Sequence, residues 1–476
     1  MPDIIKVILR ESGQELRDAL NSGRVSSNDK FGPHSLLEIT IGWPEGIKIL
    51  LEAGADASQI PLNRPGEISI AESEDNYHST KLLLQSGCKL GIQDIARCKS
   101  RRVRSLLIQE LAARRERLWK LAQLYLSSDA ISQFGHYNHT ILDLQTSRVY
   151  AALIAQGRPM DPSLKPSNIN LDRSVYHFPC LPVDAMEEMY QLGFQEVDVS
   201  DFRGITPLME SCVWVQNVER SVWMLSKGAN PHQKLPHSDA TVAHFQTAKI
   251  VAEIIRCLSM PAKQLQDLKH WKKLLLQNGD KVFLHPFARD GCDCACCPNG
   301  CTSLSVALRQ IVHDLSNSTK ELGHRSFWFR QILQLVVERA QSRPGTHQAI
   351  IRSLTFDGLG LKHTCCIEIQ GWCLQEMKGR DKAEIREIWE EQKQCFERFE
   401  QLVLEFDAKF VELGQPIIDF LADHWHIRMV EFLSHCDPYN EDHHKKTRSL
   451  GVFLEKDRND IPDVVYLVSN RVKESG

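Results

Sequence analysis

Apolar residues recur along the first half of the chain with the spacing of short helices, and a glycine turn follows each apolar run. Examples are residues 47–51 before Gly54 and residues 82–84 before Gly87. Gly23, Gly54 and Gly87 are separated by 31 and 33 residues. A second series is separated by 36 and 35 residues: Gly157, Gly193 and Gly228. Near-constant spacing of this kind predicts stacked helix–turn–helix units.

The clearest unit spans residues 201–230. Thr206 and Pro207 fit the first turn of a helix, because a hydroxyl caps free amides and proline is pre-set for that turn. Gly228 fits the closing turn, since glycine tolerates a left-handed backbone. The segment resembles an ankyrin repeat, whose pattern runs Gly-x-Thr-Pro-Leu-His-x-Ala and closes with Gly-Ala-Asp or Gly-Ala-Asn.

Weaker copies extend this resemblance over residues 1–310. His34, Ser35 and Leu36 stand where the family has Thr-Pro-Leu, and residues 240–244 resemble the start of a further repeat. The resemblance implies an all-α, ankyrin-like solenoid of helix–turn–helix units. It also implies a protein that binds other proteins through its loops and inner helices.

Beyond this region the repeat register fades, and a helical C-terminal region is predicted. From residue 382 to 413, apolar positions alternate in steps of four and three over about four heptads, interrupted only by Gln392. Gly414 ends this pattern and residues 417–432 resume it. The pattern predicts a long antiparallel helical hairpin, and an intermolecular coiled coil that forms a homodimer is the alternative.

The expected organisation therefore has three parts. Residues 1–125 form an N-terminal ankyrin-like block, and residues 126–312 form a second block with a Cys-rich insert at about 285–301. Residues 313–476 form the helical C-terminal region. Solenoid ends need capping, and we expect the hairpin to supply one cap.

Composition narrows the class of partner. The formal net charge of −4 gives no overall nucleic-acid footprint, so nucleic-acid binding is not the main expectation. The chain has no run of about 18 apolar residues, so we expect no membrane partner, and its first residues lack the features of a signal peptide. We expect an intracellular, cytoplasmic protein, with the nucleus as an open alternative.

Five of the fifteen cysteines fall within ten residues: Cys292, Cys294, Cys296, Cys297 and Cys301. In a reducing compartment such crowding favours metal ligation over disulfides. Cys294, Cys297 and Cys301 have the spacing C-x2-C-x3-C, which is typical of structural zinc. Unligated thiols and a redox-sensitive pair are the alternatives.

A zinc ion at this spacing needs a fourth ligand. Cys292 is the local candidate, and His363, Cys365 and Cys366 form a remote one. If both groups share one metal, we expect the sulfur atoms of Cys301 and Cys365 to lie within about 4 Å of each other.

The cysteines occupy an expanded loop between two repeats. Residues 300–304 repeat the register of residues 204–208, and the loop before them is about ten residues longer than its counterparts. Extra residues in repeat proteins often collect on the binding face, and a long loop benefits from a metal clamp. Residues 292–304 and 361–366 also resemble motifs of uncharacterised ankyrin-like proteins of filamentous fungi.

These features predict a non-catalytic scaffold with an unidentified protein partner and a structural Zn²⁺. No P-loop, nucleophile elbow or dinucleotide fingerprint is present, so we expect no enzyme. The expected partner-binding residues are Phe202, Arg203, Trp214 and Trp223. One alternative is a thiol- or zinc-dependent enzyme or redox sensor, and another is nucleic-acid binding through an Arg-rich helix at residues 97–117.

Overall fold

The computed structural model describes the residues of eleven segments: 3–60, 73–134, 141–166, 173–213, 218–236, 240–258, 289–317, 322–340, 345–365, 381–435 and 462–468. The chain divides into two compact units. Unit 1 contains Met1–Ser211 and Ser226–Ala229, and unit 2 contains Cys212–Leu225 and Asn230–Gly476. The division falls inside the second predicted block.

The described residues are mostly helical, as expected. The helices from the N-terminus to residue 213 are α1 (Asp3–Leu9), α2 (Gly13–Asn21), α3 (Leu36–Ile39), α4 (Pro44–Glu52), α5 (Glu74–Gln85), α6 (Ile92–Arg97), α7 (Arg101–Tyr125), α8 (Ser128–Gln133), α9 (Thr146–Ala155), α10 (Val183–Gln191) and α11 (Pro207–Val213). Two short strands, β1 (Lys30–Phe31) and β2 (His34–Ser35), form an antiparallel pair.

The remaining helices are α12 (Val218–Ser226), α13 (Val242–Leu258), α14 (Ser303–Ser316), α15 (Leu322–Ala340), α16 (Thr346–Gly358), α17 (Lys382–Glu391), α18 (Lys393–Leu413), α19 (Ile417–Phe420), α20 (His426–His435) and α21 (Asp463–Val468). A π-helical turn at Leu421–Trp425 joins α19 to α20. None of the helices among the described residues is long and apolar enough to cross a membrane.

Six helix starts share one hydrogen-bond pattern, in which the backbone N–H of the capping residue donates to the side chain three positions later. The pairs are Ser35 and Glu38, Gly91 and Asp94, Ser174 and His177, Thr206 and Met209, Thr241 and His244, and Thr302 and Ser305. Such caps satisfy amides that have no partner inside the helix. In the first pair the cap is Ser35. It comes one residue after His34, which stands at the threonine position of the ankyrin pattern.

Two of these pairs contain a histidine that also reaches a later capped helix start. His177 Nδ1 accepts from its own cap, so Nε2 carries the proton and donates to the carbonyl of Ile205 at 2.9 Å. His244 makes the same contacts, with Nε2 2.9 Å from the carbonyl oxygen of Cys301. In each case that carbonyl belongs to the residue immediately before the next capping threonine. A buried imidazole therefore connects one capped helix start to a later one.

The predicted closing turns are present at all six glycines. Gly23, Gly54, Gly87, Gly157, Gly193 and Gly228 have φ values between 68° and 109°. Only glycine adopts this region without a steric penalty. The periodic glycines thus end helices, as the sequence pattern predicts.

The helix predicted over residues 382–413 is interrupted. α17 ends at Glu391 and α18 begins at Lys393, with Gln392 between them at φ −103° and ψ 10°. The Gln392 side-chain oxygen accepts a hydrogen bond from the backbone N–H of Lys362 at 3.0 Å. The one polar position of the apolar seam therefore bonds to a distant backbone amide.

α18 and the helices after Gly414 run antiparallel to each other. The rings of Phe410 and Phe420 lie 5.3 Å apart and those of Phe406 and Trp425 lie 6.2 Å apart. Phe406, Phe420 and Trp425 belong to the apolar core of unit 2, which also includes residues of α14, α15, α16 and α21. The apolar residues of α18 therefore pack against other helices of the same chain.

Candidate metal centre

Two segments of unit 2 form a cluster of cysteine and histidine side chains. The first is the loop at residues 289–301, which leads into α14, and the second is residues 361–365, which follow α16. In the loop, the N–H of Cys297 donates to the carbonyl of Cys294, and the N–H of Gly300 donates to the carbonyl of Cys297. Two consecutive turns therefore bring cysteines of the loop close to one another.

Asp290 fixes the ends of this loop. Its Oδ1 accepts hydrogen bonds from the N–H groups of Cys301 at 2.6 Å and Cys292 at 3.3 Å. Burial, followed by the proximity of Cys292, raises the pKa of Asp290 to about 8. Gly300, at φ +95°, passes so close that an added Cβ would lie 1.7 Å from the Asp290 carbonyl oxygen. A side chain at position 300 is therefore incompatible with this loop.

The loop is attached to α16 and the segment after it by polar contacts. The Thr364 hydroxyl donates to the carbonyl of Asp293 at 2.6 Å, and the Thr364 N–H points at Cys294 Sγ at 3.4 Å. Arg352 on α16 donates to the carbonyl of Ala295 at 2.7 Å. These contacts place the sulfur atoms of the loop beside His363 and Cys365.

Four side chains have the arrangement needed to hold a metal ion: Cys294, Cys296, His363 and Cys365. Their ligand atoms all lie within 4.8 Å of one another. His363 Nδ1 is 3.5 Å from Cys365 Sγ and 3.8 Å from Cys294 Sγ, and the Cys296 and Cys365 sulfur atoms are 3.5 Å apart. A tetrahedral ion takes four ligands of this kind.

Three further sulfur atoms adjoin this group. Cys301 Sγ lies 3.3 Å from Cys365 Sγ, 3.5 Å from Cys296 Sγ and 3.5 Å from Cys292 Sγ. Cys297 belongs to a group of three with Cys296 and Cys301. All six sulfur atoms belong to buried residues.

The ring of His363 is oriented by a carboxylate. Its Nε2 lies 2.6 Å from Asp357 Oδ1, so Nδ1 faces the sulfur atoms. Burial alone would lower the pKa of His363, but the Asp357 carboxylate and the adjacent thiol groups raise it well above its usual value. A carboxylate on the second ring nitrogen is the usual support of a metal-ligating histidine.

Hydrogen bonds from Cys296 and Cys365, together with His363, lower the pKa of Cys294 well below that of an ordinary thiol. The cluster therefore already favours a thiolate at position 294. Metal ions bind cysteine in this deprotonated form.

All six sequence-predicted ligand residues lie in this cluster: Cys292, Cys294, Cys297, Cys301, His363 and Cys365. The Cys301–Cys365 distance agrees with the value expected if the two groups share a metal. Cys366 lies outside the described residues. Cys296 is a candidate ligand that the C-x2-C-x3-C spacing does not include.

A cavity of about 700 Å³ borders the loop. Cys292, Cys294 and Cys297 contribute to its lining, together with Trp389 on α17 and Phe396 on α18. The cluster therefore has a solvent-facing side despite the burial of its sulfur atoms.

The expected partner-binding residues differ in their exposure. Phe202 is 64% exposed, whereas Trp223 is 8% exposed, so little of the Trp223 ring is accessible to a partner. Arg203 forms ion pairs with Asp201 at 2.9 Å and Glu210 at 3.2 Å. Trp214 lies outside the described residues.

The Arg-rich stretch lies mainly on α7, and several of its charges are paired within the protein. Arg102 pairs with Glu74, Arg104 with Asp184 and Arg117 with Glu110. Arg114 is buried and donates to the carbonyls of Cys88, Ser163 and Leu84. These contacts reduce the positive charge that α7 presents to solvent.

The described residues thus define a mostly helical protein with a buried cysteine–histidine cluster that could hold a metal ion. No family model, curated protein or solved structure matches the chain.

Proposed function

We propose that this protein is a non-catalytic, intracellular interaction scaffold of the ankyrin-repeat type, with a structural zinc ion at Cys294, Cys296, His363 and Cys365. The observation that carries the proposal is the convergence of these four ligand atoms, two from a loop and two from a segment about 70 residues later. A metal there ties the loop to the helices of unit 2.

The chemistry of the ligands supports zinc. Three thiolates and one imidazole form a set typical of structural zinc, and such sites fill all four positions with protein ligands. Softer thiolate ligands also disfavour magnesium and calcium, which prefer oxygen. The Asp357–His363 contact orients the imidazole toward the sulfur atoms before any metal binds.

The recurring helix starts support the scaffold. Each capping pair repeats the Thr-Pro-Leu-His position of the ankyrin pattern, and His177 and His244 each connect one capped helix start to a later one. Left-handed glycines end helices at the expected period. A chain of such units binds partners on the loops that join them, where Phe202 is more exposed than Trp223, the other expected aromatic residue that the structure describes.

A thiol-dependent enzyme or redox sensor is the alternative, and the cavity beside Cys292, Cys294 and Cys297 is the observation in its favour. Such a function requires a cluster thiol that reacts with iodoacetamide faster than the exposed Cys180 in the native protein. We expect the reverse order, because the cluster sulfur atoms are buried. Peptide mass spectrometry after brief labelling measures both rates.

Metal analysis of the purified full-length chain tests the structural site. We expect zinc that stays bound in the presence of a chelator and leaves only when the protein unfolds. Cys294→Ser should lose this zinc, whereas Cys180→Ser, which changes an exposed thiol, should retain it. A wild-type protein that folds fully without any metal would refute the structural role.

Quantitative affinity purification tests the scaffold. The matched variants are Phe202→Asp and Leu404→Asp, since Leu404 is also an exposed apolar residue but lies on α18. We expect at least one protein to be retained by the wild type and by Leu404→Asp but reduced about tenfold by Phe202→Asp. If both variants retain the same proteins equally, the loop at Phe202 is not the binding edge.

A further inference from the structure

The ligand set around the proposed zinc ion is larger than one ion can use. Six sulfur atoms and one imidazole nitrogen form overlapping groups within 4.8 Å: Cys294, Cys296, His363 and Cys365; Cys292, Cys301 and Cys365; and Cys296, Cys297 and Cys301. One tetrahedral ion takes four ligands. The three remaining sulfur atoms belong to Cys292, Cys297 and Cys301, and all three residues are buried.

Two cysteines connect the ligands of the first ion to the remaining sulfur atoms. Cys365 Sγ lies 3.3 Å and Cys296 Sγ lies 3.5 Å from Cys301 Sγ. Sulfur atoms on one tetrahedral zinc lie about 3.8 Å apart, given Zn–S bonds of about 2.3 Å. Cys301 is therefore as close to the ligands of the first ion as two sulfur atoms on one zinc ion are to each other.

The number of ligands matches two ions that share one. Two tetrahedral ions have eight coordination positions, and seven ligands fill them when one thiolate binds both ions. We propose that the cluster is a binuclear, thiolate-bridged zinc centre, a proposal that rests on the zinc site proposed above. The first ion is held by Cys294, Cys296, His363 and Cys365. The second is held by Cys301, one shared thiolate from Cys296 or Cys365, and Cys292 and Cys297. Cys292 and Cys297 belong to separate groups around Cys301, and their side chains would approach each other when the ion binds.

The surrounding protein partly balances the charge of a two-ion site. Six thiolates and two divalent ions leave two negative charges in a buried site. Arg309 on α14 is only 7% exposed and interacts electrostatically with Cys296, Cys301 and Cys365, and also with Asp357. Its guanidinium offsets one negative charge, and an unbalanced buried charge is costly.

The inserted loop supplies the geometry for the second ion. Asp290 Oδ1 binds the N–H groups of both Cys292 and Cys301, which holds their sulfur atoms 3.5 Å apart. This pairing is independent of His363 and Cys365. The loop therefore has a preformed pair of ligands that the first ion does not use.

Native mass spectrometry of the full-length protein, purified from zinc-supplemented cells, counts the ions directly. We expect two zinc ions per chain. A single ion overturns the binuclear centre but leaves the proposed zinc site intact, and a chain without zinc overturns both. The two proposals therefore fail on different results.

Ligand variants separate the two positions. Cys292→Ser removes a ligand of the second ion only, and Cys294→Ser removes a ligand of the first ion only, so each should reduce the count from two to one. Cys180→Ser, at an exposed thiol in unit 1, should retain two. Loss of both ions in Cys292→Ser with unchanged circular dichroism would overturn the assignment of separate positions.

Cadmium NMR of the wild-type chain tests the bridge without any variant. Two cadmium ions that share a thiolate show scalar coupling to each other through the sulfur atom. We expect two resonances with this coupling. Two uncoupled resonances would overturn the shared thiolate.

Discussion

The sulfur atoms of Cys301 and Cys365 lie 3.3 Å apart although 64 residues separate them in the chain. Cys301 immediately precedes the cap of α14, and Cys365 follows α16. These helices belong to one apolar core, so the two cysteines are held by packing as well as by any metal. The cluster therefore joins a loop to a core that has its own apolar packing.

Replacement of Cys365 by serine should release metal and destabilise unit 2. Cys365 is a ligand of the first ion and one of the two candidates for the shared thiolate, so its loss removes at least one ion. We expect a loss of about 2–5 kcal/mol in the free energy of unfolding of the metal-loaded protein. Urea unfolding with and without chelator measures this. Once the metal has been removed from both proteins, the difference between wild type and variant should shrink to less than half.

Replacement of Asp357 by asparagine should weaken metal binding without removing a ligand. Asp357 orients His363 through a 2.6 Å contact, and supporting residues of this kind contribute about 10–100-fold to metal affinity. Competition with a chromophoric chelator measures the change. The control is Asp314→Asn, because Asp314 also contacts a histidine, His313, on the surface of α14. Equal affinities for the two variants would contradict the role given to Asp357.

Much of the helical pattern could be predicted because glycine and capping residues act locally. A left-handed turn at Gly54 or Gly87 depends on the glycine itself, so the position of the glycine in the sequence is sufficient to predict the turn. The cap at Ser35 lies one residue later than the resemblance to Thr-Pro-Leu indicates, and Ser35 also takes part in the pairing of β1 with β2. Lys30 lies opposite Ser35 in that pairing, and the spacing of apolar residues does not report it.

Long-range contacts explain what the sequence could not reveal. The helix breaks at Gln392, whose side chain accepts a hydrogen bond from the backbone N–H of Lys362. The heptad pattern does not predict this contact. Cys296 was missed because the C-x2-C-x3-C spacing describes one ion with three local ligands. The direction of its sulfur depends on turns of the loop and on Cys365, 69 residues away.

Replacement of Gly300 by alanine should disrupt the cluster. The new Cβ would lie 1.7 Å from the carbonyl oxygen of Asp290, and the φ of +95° is unfavourable for alanine. We expect a loss of more than about 3 kcal/mol in stability and a lower zinc content, because the loop must move. Thermal unfolding and metal analysis measure these effects.

The control for that substitution is Gly414→Ala. Gly414 has a φ of +60° but no atom within 4 Å of an added Cβ. It should therefore show only the conformational cost, about 1–2 kcal/mol, with its zinc content unchanged. Equal destabilisation by the two substitutions would show that the Asp290 contact is not limiting.

Acid should weaken unit 1 through His177. Burial lowers the pKa of His177 to about 4, so the folded protein holds the neutral ring while the unfolded chain titrates near 6.5. The neutral ring accepts from Ser174 and donates to Ile205, and a second proton would abolish the first of these bonds. This contribution to stability is complete above pH 6.5 and is lost as the pH falls from 6.5 toward 4.

Comparison with His177→Gln isolates this effect. Glutamine is neutral throughout the range, so the variant lacks the titration of His177 but keeps every other one. We expect the wild type to lose about 2 kcal/mol more than the variant between pH 7.5 and pH 5, given 1.36 kcal/mol per unit of pKa. Urea unfolding monitored by hydrogen exchange of unit 1 amides at both pH values measures the difference. Parallel pH profiles for the two proteins would mean that His177 is not held neutral in the folded state.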